Sequence, residues 1–296
     1  MKKMLFILNP KAGQMRANKQ LVELLTVFCE AGYDVLVRTT CKPGDAVEIA
    51  QRLAGEVDLV VSCGGDGTFN EAVTGLLRSG VAVPIGHLPA GTTNDFAISL
   101  GIPTNLKEAA KLIACGTPEE YDIGRFGDRY FTYVASFGAF TRASYATPQN
   151  VKNALGQAAY LLEGIQELSQ LRMEHIRLLL DDETEIEDDF IFGAICNSTS
   201  VGGILTLDPK QVDLKDGKFE LLLIRAPKDV AELTECVMAL QTQKYNCKMI
   251  TFMSASKVTV WMEKEGSWTL DGEQAHSQQR VEVVNLRHAI KLIRKG

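Results

Sequence analysis

Three glycine-bearing stretches in the N-terminal part of the chain have the composition of phosphate loops. The strongest is Gly64-Gly65-Asp66-Gly67-Thr68-Phe69-Asn70-Glu71, which follows the apolar run Leu59 to Cys63 and opens an amphipathic one. At such a strand-to-helix junction, unpaired amides and the positive end of the helix dipole favour an anion, and glycines let the backbone approach it. A carboxylate such as Asp66 is repelled among phosphates unless a cation bridges it, which points to Mg2+–nucleotide. Thr68 and Glu71 also stand at capping-box spacing, so Glu71 reads equally well as a structural residue.

Asn9-Pro10-Lys11-Ala12-Gly13 follows the first apolar run, and its lysine can reach phosphates. Pro89-Ala90-Gly91-Thr92-Thr93-Asn94-Asp95 follows the fourth, with Thr92 and Asp95 again at capping spacing. Alone, each reads as a turn or cap. Together, at successive strand ends, they make a nucleotide crevice. Familiar alternatives are missing: there is no Gly-x-x-x-x-Gly-Lys-Ser/Thr, no third glycine of the dinucleotide fingerprint, and no protein-kinase motif set.

Later Asp-Gly pairs are chemically ambiguous. Asp213 and Lys218 flank Lys215-Asp216-Gly217, which on residue types alone is a hairpin turn. Asp271-Gly272-Glu273 carries carboxylates two positions apart, which in an extended chain point to one face, but it too can be a turn. His87, His175, His276 and His288 lack metal-ligand spacing, and His87, inside an apolar strand, reads as a core histidine with its bonds satisfied. Asp181 to Asp189 holds seven acids in nine residues and reads as a solvated hairpin facing away from anionic lipid.

The elements that must position these loops are legible in the periodicity. Strands are expected at Met4–Leu8, Val35–Val37, Leu59–Cys63 and Val83–Leu88. The helices between and after them include one capped by Asp45, one marked by Phe69, Ala72, Val73, Leu76 and Leu77, and one from Leu106 closed by Gly116. Strand–helix–strand repetition implies right-handed crossovers and a parallel sheet, whose ligands bind outside the carboxyl ends of the strands. After Asp122 the pattern turns to hairpins, with Gly127-Asp128, Asp181-Asp182 and Asp216-Gly217 as punctuation. Strands are expected at Val258–Met262, Thr269–Leu270 and Val281–Leu286. One helix is expected over Ala158 to Leu171 and another from Asp229. The fold class is α/β: an N-terminal parallel-sheet nucleotide-binding domain, residues 1–125, and a C-terminal antiparallel β-rich domain, residues 126–296.

Composition narrows the function. The chain has 296 residues, 31 Lys+Arg, 37 Asp+Glu and 46% hydrophobic residues, an ordinary globular balance. A net charge of −6 gives no global pull towards nucleic acid or an anionic membrane, so any membrane contact needs a local basic patch, with Lys2-Lys3 and Arg294-Lys295 as candidates. Seven cysteines without CxxC spacing, several in apolar runs, read as buried free thiols of a reducing compartment. The longest uncharged stretch, Phe190 to Leu207, is broken by Asn197-Ser198-Thr199-Ser200 and cannot span a bilayer. A soluble, cytoplasmic protein is expected.

In combination these residues resemble the bacterial diacylglycerol kinase family, soluble lipid kinases distantly related to NAD kinases and phosphofructokinases. Gly-Gly-Asp-Gly-Thr marks the wider superfamily. The more specific signals are Asn70-Glu71 after it, Pro89 to Ala97, Tyr121-Asp122-Ile123-Gly124 and Asp271-Gly272-Glu273, so the resemblance covers essentially the whole chain. It implies ATP in the interdomain cleft, phosphoryl transfer to a lipid hydroxyl, and transient contact with the inner face of the membrane, a homodimer being left open. Nucleotide-binding positions by resemblance are Asn9, Pro10, Lys11, Ala12, Gly13, Thr40, Gly65, Asp66, Gly67, Thr68, Phe69, Asn70, Glu71 and Thr92. Asp213, Asp216 and Lys218 match a Mg2+ site built from the Asp216 carboxylate and neighbouring main-chain oxygens, with Asp122 in a network near it. Glu273 matches the base that takes the proton of the lipid hydroxyl, with Asp66 and Asp271 completing the catalytic set. Where the family carries a lysine on the long helix of the second domain, this chain has Glu163. The acceptor expected is diacylglycerol, giving phosphatidic acid; the competing readings are a kinase of another lipid hydroxyl, that of phosphatidylglycerol or a sphingoid base, then NAD kinase, and a nucleotide-binding regulator without catalysis.

Overall fold

The computed structural model describes residues 1–138, 173–201 and 205–295. The expected helix over 158–171, with Glu163, lies outside them. The chain divides into two compact units, Met1–Ile123 with Leu286–Gly296, and Gly124–Asn285. This departs from a single cut at 125/126. The last residues return to the first unit, because the C-terminal strand (Arg280–Arg294) is long enough to serve both.

In the first unit, β1 (Lys2–Leu8), β2 (Tyr33–Thr39), β3 (Leu59–Gly64) and β4 (Ile85–Pro89) lie parallel in the order β2-β1-β3-β4. Leu292 of the C-terminal strand adds beside Ile85 of β4, also parallel. Met4 to Leu8 and Leu59 to Gly64 are buried throughout, as near-continuous apolar runs must be when helices cover both faces. The helices are α1 (Arg16–Glu30), α2 (Asp45–Leu53), α3 (Asp66–Ser79), the short α4 (Asp95–Ser99) and α5 (Leu106–Cys115). α2 packs on α3 and α1 on α5, the pairing expected of a doubly wound sheet whose strand order reverses at β1 and β3.

Register brings the strand ends level. Leu8 lies opposite both Thr39 and Cys63, and Gly64 lies opposite Pro89, so the loops after β1, β2, β3 and β4 leave from one edge.

The second unit is antiparallel. Its strands are β5 (Thr117–Phe126, begun in the first unit), β6 (Arg129–Phe131), β7 (Val134–Gly138), β8 (Glu174–Leu180), β9 (Thr184–Cys196), β10 (Ser200–Val201), β11 (Leu205–Thr206), β12 (Phe219–Arg225), β13 (Ile250–Ala255), β14 (Lys257–Met262), β15 (Gly266–Leu270), β16 (Glu273–Ser277) and β17 (Arg280–Arg294). One path runs β16-β15-β7-β9-β8-β14-β17, and β12 joins β9 to β13. Alternating residues such as Ile176, Leu178 and Leu180 of β8 with Val258 and Val260 of β14 face the core. There the Trp268 ring meets Phe126 at 4.8 Å and Phe137 at 5.0 Å, and its Nε1–H donates to Ser277 Oγ at 3.1 Å. The helix α6 (Val230–Thr242) opens where expected, with the Asp229 side chain accepting from Glu232 N.

The expected hairpins at Gly127-Asp128 and Asp181-Asp182 form. The acidic one is solvated but not bare: Arg177 pairs with Glu185, Arg225 with Asp188 and Lys257 with Asp182. All seven cysteines are free thiols. Cys63, Cys196, Cys236 and Cys247 are buried, whereas Cys29, Cys41 and Cys115 are exposed, contrary to a uniformly buried set. Among the described residues no helix is long and apolar enough to cross a membrane.

His87 is buried in β4 between Ser62 and the Phe69 ring, 4.6 Å away. Its Nδ1 lies 3.3 Å from Ser62 O, but its Nε2 and Ser62 Oγ lack partners, so the expected satisfaction is only half met. Burial depresses its pKa to about 4. The folded state therefore keeps this ring neutral while the unfolded chain takes up a proton below about pH 6.5, so stability falls as pH drops from 6.5 towards 4. Wild-type unfolding free energy, followed by urea titration, should drop by about 2 kcal/mol more than that of His87→Leu between pH 7.5 and pH 5. Parallel pH profiles for the two proteins would refute the assignment.

Candidate functional site: phosphate loops and two carboxylate clasps

The loops after β1, β3 and β4 touch through their main chains. A Cβ on Gly13 (φ +49) would lie 1.8 Å from Ala90 O, and one on Gly91 would lie 2.5 Å from Gly65 Cα. Ala90 N donates to Gly64 O at 2.7 Å, and Asn9 N to Cys63 O at 2.9 Å. Asn9 ties its loop inward: its Nδ2 donates to Thr68 Oγ1 at 3.0 Å, and its Oδ1 accepts from Lys11 N at 3.0 Å. Lys11 and Thr92 stay exposed at the rim, with Pro10 and Ala12 partly so. Thr40, buried after β2, donates its N–H to Leu8 O. The structure thus gathers the N-terminal candidates at one sheet edge.

The capping expectations are corrected. α3 begins at Asp66 with Gly65 as N-cap and no side-chain cap, so Thr68 is already inside the helix. Glu71 reaches across instead, its Oε1 and Oε2 accepting from Gly44 N at 2.9 Å and Ala46 N at 3.2 Å. α2 is capped by Gly44, and Asp45 accepts from Cys41 N and Lys42 N. α4 is preceded by Asn94 in the left-handed region, not Thr92, and Asn94 Oδ1 accepts from Gly91 N at 2.9 Å. Phe69 stacks on Phe96 at 5.0 Å, and Asn70 Oδ1 lies 3.4 Å from Thr74 Oγ1.

Asp66 is buried and points at the start of α4. Its Oδ2 accepts from Asp95 N at 3.2 Å, and its Oδ1 from Phe96 N at 3.3 Å, with Thr93 Oγ1 at 3.4 Å. It fastens the third loop to the second and supplies α4 with the acceptor its own cap lacks.

In the second unit Asp271 is a second clasp. Its carboxylate accepts from Thr132 N (2.5 Å), Thr132 Oγ1 (2.8 Å), Tyr133 N (2.9 Å) and Val134 N (3.0 Å). Burial raises its pKa above the ordinary carboxylate value while these donors pull the other way. Asp271 (φ 48) and Gly272 (φ 84) form the two-residue turn between β15 and β16, so the chain is not extended there. The two carboxylates consequently do not share a face. Asp271 is buried and Glu273 is exposed, with Arg129 3.9 Å away.

Around the third Asp-Gly pair, Asp216 Oδ1 accepts from Lys218 N (2.9 Å), Asp213 Oδ1 from Lys215 N (3.0 Å), and Lys218 O from Asn285 Nδ2 (2.9 Å). This is a turn offering exposed carboxylates and carbonyl oxygens, the donor set of a hard cation. Among the described residues no group of three or more His, Cys, Asp and Glu is arranged to hold a metal, so a cation here must draw on main-chain oxygen and water. Asp122 is buried and its Oδ1 accepts from His288 N at 2.8 Å.

Two residues escaped the sequence reading. Asn197, buried, donates to Thr132 O at 3.0 Å and helps hold the segment that Asp271 clasps. It had registered only as a break in an apolar run. Glu220, in β12, is 2% exposed, and burial, then the charges of Asp216 and Asp213, push its pKa up to about 8. A signal existed: Leu221 to Ile224 is apolar on both faces, so the strand is covered on both sides and Glu220 with it.

The first unit is thus a parallel α/β sheet whose glycine-bearing loops, Gly64-Gly65-Asp66-Gly67-Thr68 among them, meet at level strand ends, and an antiparallel β-rich unit follows it in the chain. Residues 3–126 match the diacylglycerol kinase catalytic domain family, and residues 134–293 match the YegS C-terminal NAD kinase beta sandwich-like domain family. The chain is 34% identical over 275 residues to a diacylglycerol kinase of Bacillus subtilis, covering 92% of this chain and 90% of that protein. A diacylglycerol kinase of Staphylococcus saprophyticus is 31% identical over 270 residues, 90% of this chain and 87% of that one. A crystal structure from Bacillus anthracis superposes with a TM-score of 0.82 at 25% identity, over 99% of this chain and 95% of that one. The chain belongs to the diacylglycerol kinase family of lipid kinases.

The clasps predict a stability order. Asp66→Ala strands the Asp95 and Phe96 amides and should cost about 1–3 kcal/mol. Asp271→Ala strands more donors and should cost more. Exposed Glu273→Gln should stay within about 0.5 kcal/mol of wild type. Urea unfolding of the three variants measures this, and a wild-type midpoint for Asp66→Ala would remove Asp66 from the clasp role.

Proposed function

We propose that the protein is an ATP-dependent diacylglycerol kinase that phosphorylates the free hydroxyl of diacylglycerol to give phosphatidic acid. The observation that carries this reading is the meeting of three phosphate loops at one sheet edge in a chain whose relatives of near-equal length are diacylglycerol kinases. Phosphoryl transfer asks for positioning and charge stabilisation more than covalent chemistry. Amides of the Asn9–Gly13 and Gly65–Glu71 loops, with Lys11 and Thr92 at the rim and Thr40 beside them, hold the nucleotide phosphates. Asp66 is a positioning residue, since its carboxylate shapes the third loop.

The acceptor oxygen attacks the γ-phosphorus as the bond to the β-phosphate oxygen breaks, leaving ADP. Glu273, exposed and outside the clasp that occupies Asp271, accepts the hydroxyl proton as the new bond forms. Mg2+, when bound, neutralises phosphate charge, and the Asp213–Lys218 turn would supply oxygen ligands through Asp216 and main-chain carbonyls. Lys2, Lys3 and Lys295 are exposed and available for reversible docking on the inner face of the membrane. Arg294 is not, because its guanidinium is turned in to bond Leu100 O.

Glu273→Gln keeps size and hydrogen bonding while weakening proton acceptance, so kcat should fall roughly 10²–10⁴-fold. ATP affinity by calorimetry should stay near wild type. Retained turnover in Glu273→Gln would misplace the base. Labelled ATP offered with a mixed lipid extract, read by mass spectrometry, should yield phosphatidic acid as the main product. Label on phosphatidylglycerol, a sphingoid base or NAD instead would reassign the substrate.

A further inference from the structure

The Asp213–Lys218 turn is held by one bond from outside it. Asn285 reaches it from β17, and its Nδ2 donates to Lys218 O at 2.9 Å. Asn285 is 8% exposed, and among the described residues its Oδ1 has no hydrogen-bond partner. A buried acceptor left unpaired costs free energy, so an apolar side chain would suit the fold better and the amide calls for another reason. The main chain that carries it is fixed. Asn285 N donates to Ser256 O at 2.8 Å, and Ser256 in turn gives its N–H and its hydroxyl to Asp181 Oδ1, at 2.9 and 2.7 Å. The amide therefore meets the turn from a braced strand.

Two tethers meet at Lys218. Its N–H donates to Asp216 Oδ1 at 2.9 Å, and its carbonyl oxygen is held by Asn285. A carbonyl oxygen has two lone pairs, and Asn285 takes one of them. The other is left for a cation, with the Asp216 carboxylate drawn to the same residue. An untethered turn peptide can rotate its carbonyl away from an ion, whereas Mg2+ demands near-octahedral placement of its oxygens. We propose that Asn285 is a positioning residue for a cation at this turn, holding the Lys218 carbonyl oxygen in ligating orientation. This rests on the reading of that turn as a Mg2+ site.

The test uses the full chain without nucleotide, titrated with MgCl2 and followed by calorimetry and by thermal unfolding. Wild type should bind Mg2+ and gain thermal stability, and Asp216→Ala should lose both responses. Asn285→Leu, close in size but without a donor, should bind Mg2+ roughly 10–100-fold more weakly. Its metal-free unfolding midpoint should stay at or above that of wild type. Asn285→Ser, too short to reach Lys218 O, guards against misfolding of the leucine variant and should bind as weakly. Wild-type affinity in either folded variant, with Asp216→Ala silent, overturns the role of Asn285 and leaves the turn as the cation site. A metal-free midpoint far below wild type in both variants makes the bond a contact of the fold alone and overturns that role as well. No Mg2+ response in wild type overturns the reading of the turn itself.

Discussion

Where β3 and β4 end, their main chains run so close that a Cβ on Gly91 would lie 2.5 Å from Gly65 Cα, and one on Gly13 would lie 1.8 Å from Ala90 O. At Gly13, Gly65 and Gly91 there is no room for a side chain, and the loops meet there as peptide. The helices that start nearby follow the same constraint. α1, α2, α3 and α4 open without a side-chain cap of their own, whereas α5 is capped by Asn105 and α6 by Asp229. At α2 and α4 acids from elsewhere, Glu71 and Asp66, take amides of the first turn, whereas the uncapped start of α3 leaves its dipole for whatever approaches. Crowded backbone and missing caps are therefore one design, suited to a phosphate chain.

Loops made of glycine and bare amides do not hold their own shape, and the ordering comes from acids rooted elsewhere. Asp66 in α3 fixes the start of α4, Glu71 one turn later fixes the entry to α2, and Asp271 fixes Thr132 to Val134. Each spends a carboxylate on amides distant in sequence. An acid committed in this way is poorly placed to hold a metal or take a proton, which sharpens the contrast with Glu273. That side chain leaves the same turn as Asp271 but stays exposed, with Arg129 3.9 Å away.

The α/β class, the parallel order implied by strand–helix alternation and the convergence of the glycine loops were legible because they rest on local patterns: apolar runs of strand length, glycines after them, amphipathic spacing next. What was not legible is long-range. Thr68-x-x-Glu71 has the spacing of a capping box, but the glycine before Asp66 takes the cap and Glu71 finds amides in another loop. The face shared by Asp271 and Glu273 was inferred for extended chain, and two positive φ values cancel it. Glu220 looked like one more polar residue at the head of a strand until the cover on both faces of β12 was considered.

The division of the chain has the same origin. A single change of grammar after Asp122 suggests one linker, but β17 is fifteen residues long and has three partners: antiparallel β14 over Lys257–Trp261, parallel β4 at Leu292, and β5. A strand that changes partners needs a break in its own run, and His288 supplies it at φ 54, in the left-handed region where a histidine is uncommon. Its N–H is turned out of the strand to Asp122 Oδ1, and its ring nitrogen lies 3.2 Å from Glu120, both on β5, the other strand that crosses between units. The two crossings are thus bonded to each other at the break. The Tyr121-Asp122-Ile123-Gly124 motif consequently has a structural reason within the first unit: its aspartate accepts the N–H that the break at His288 turns out of β17.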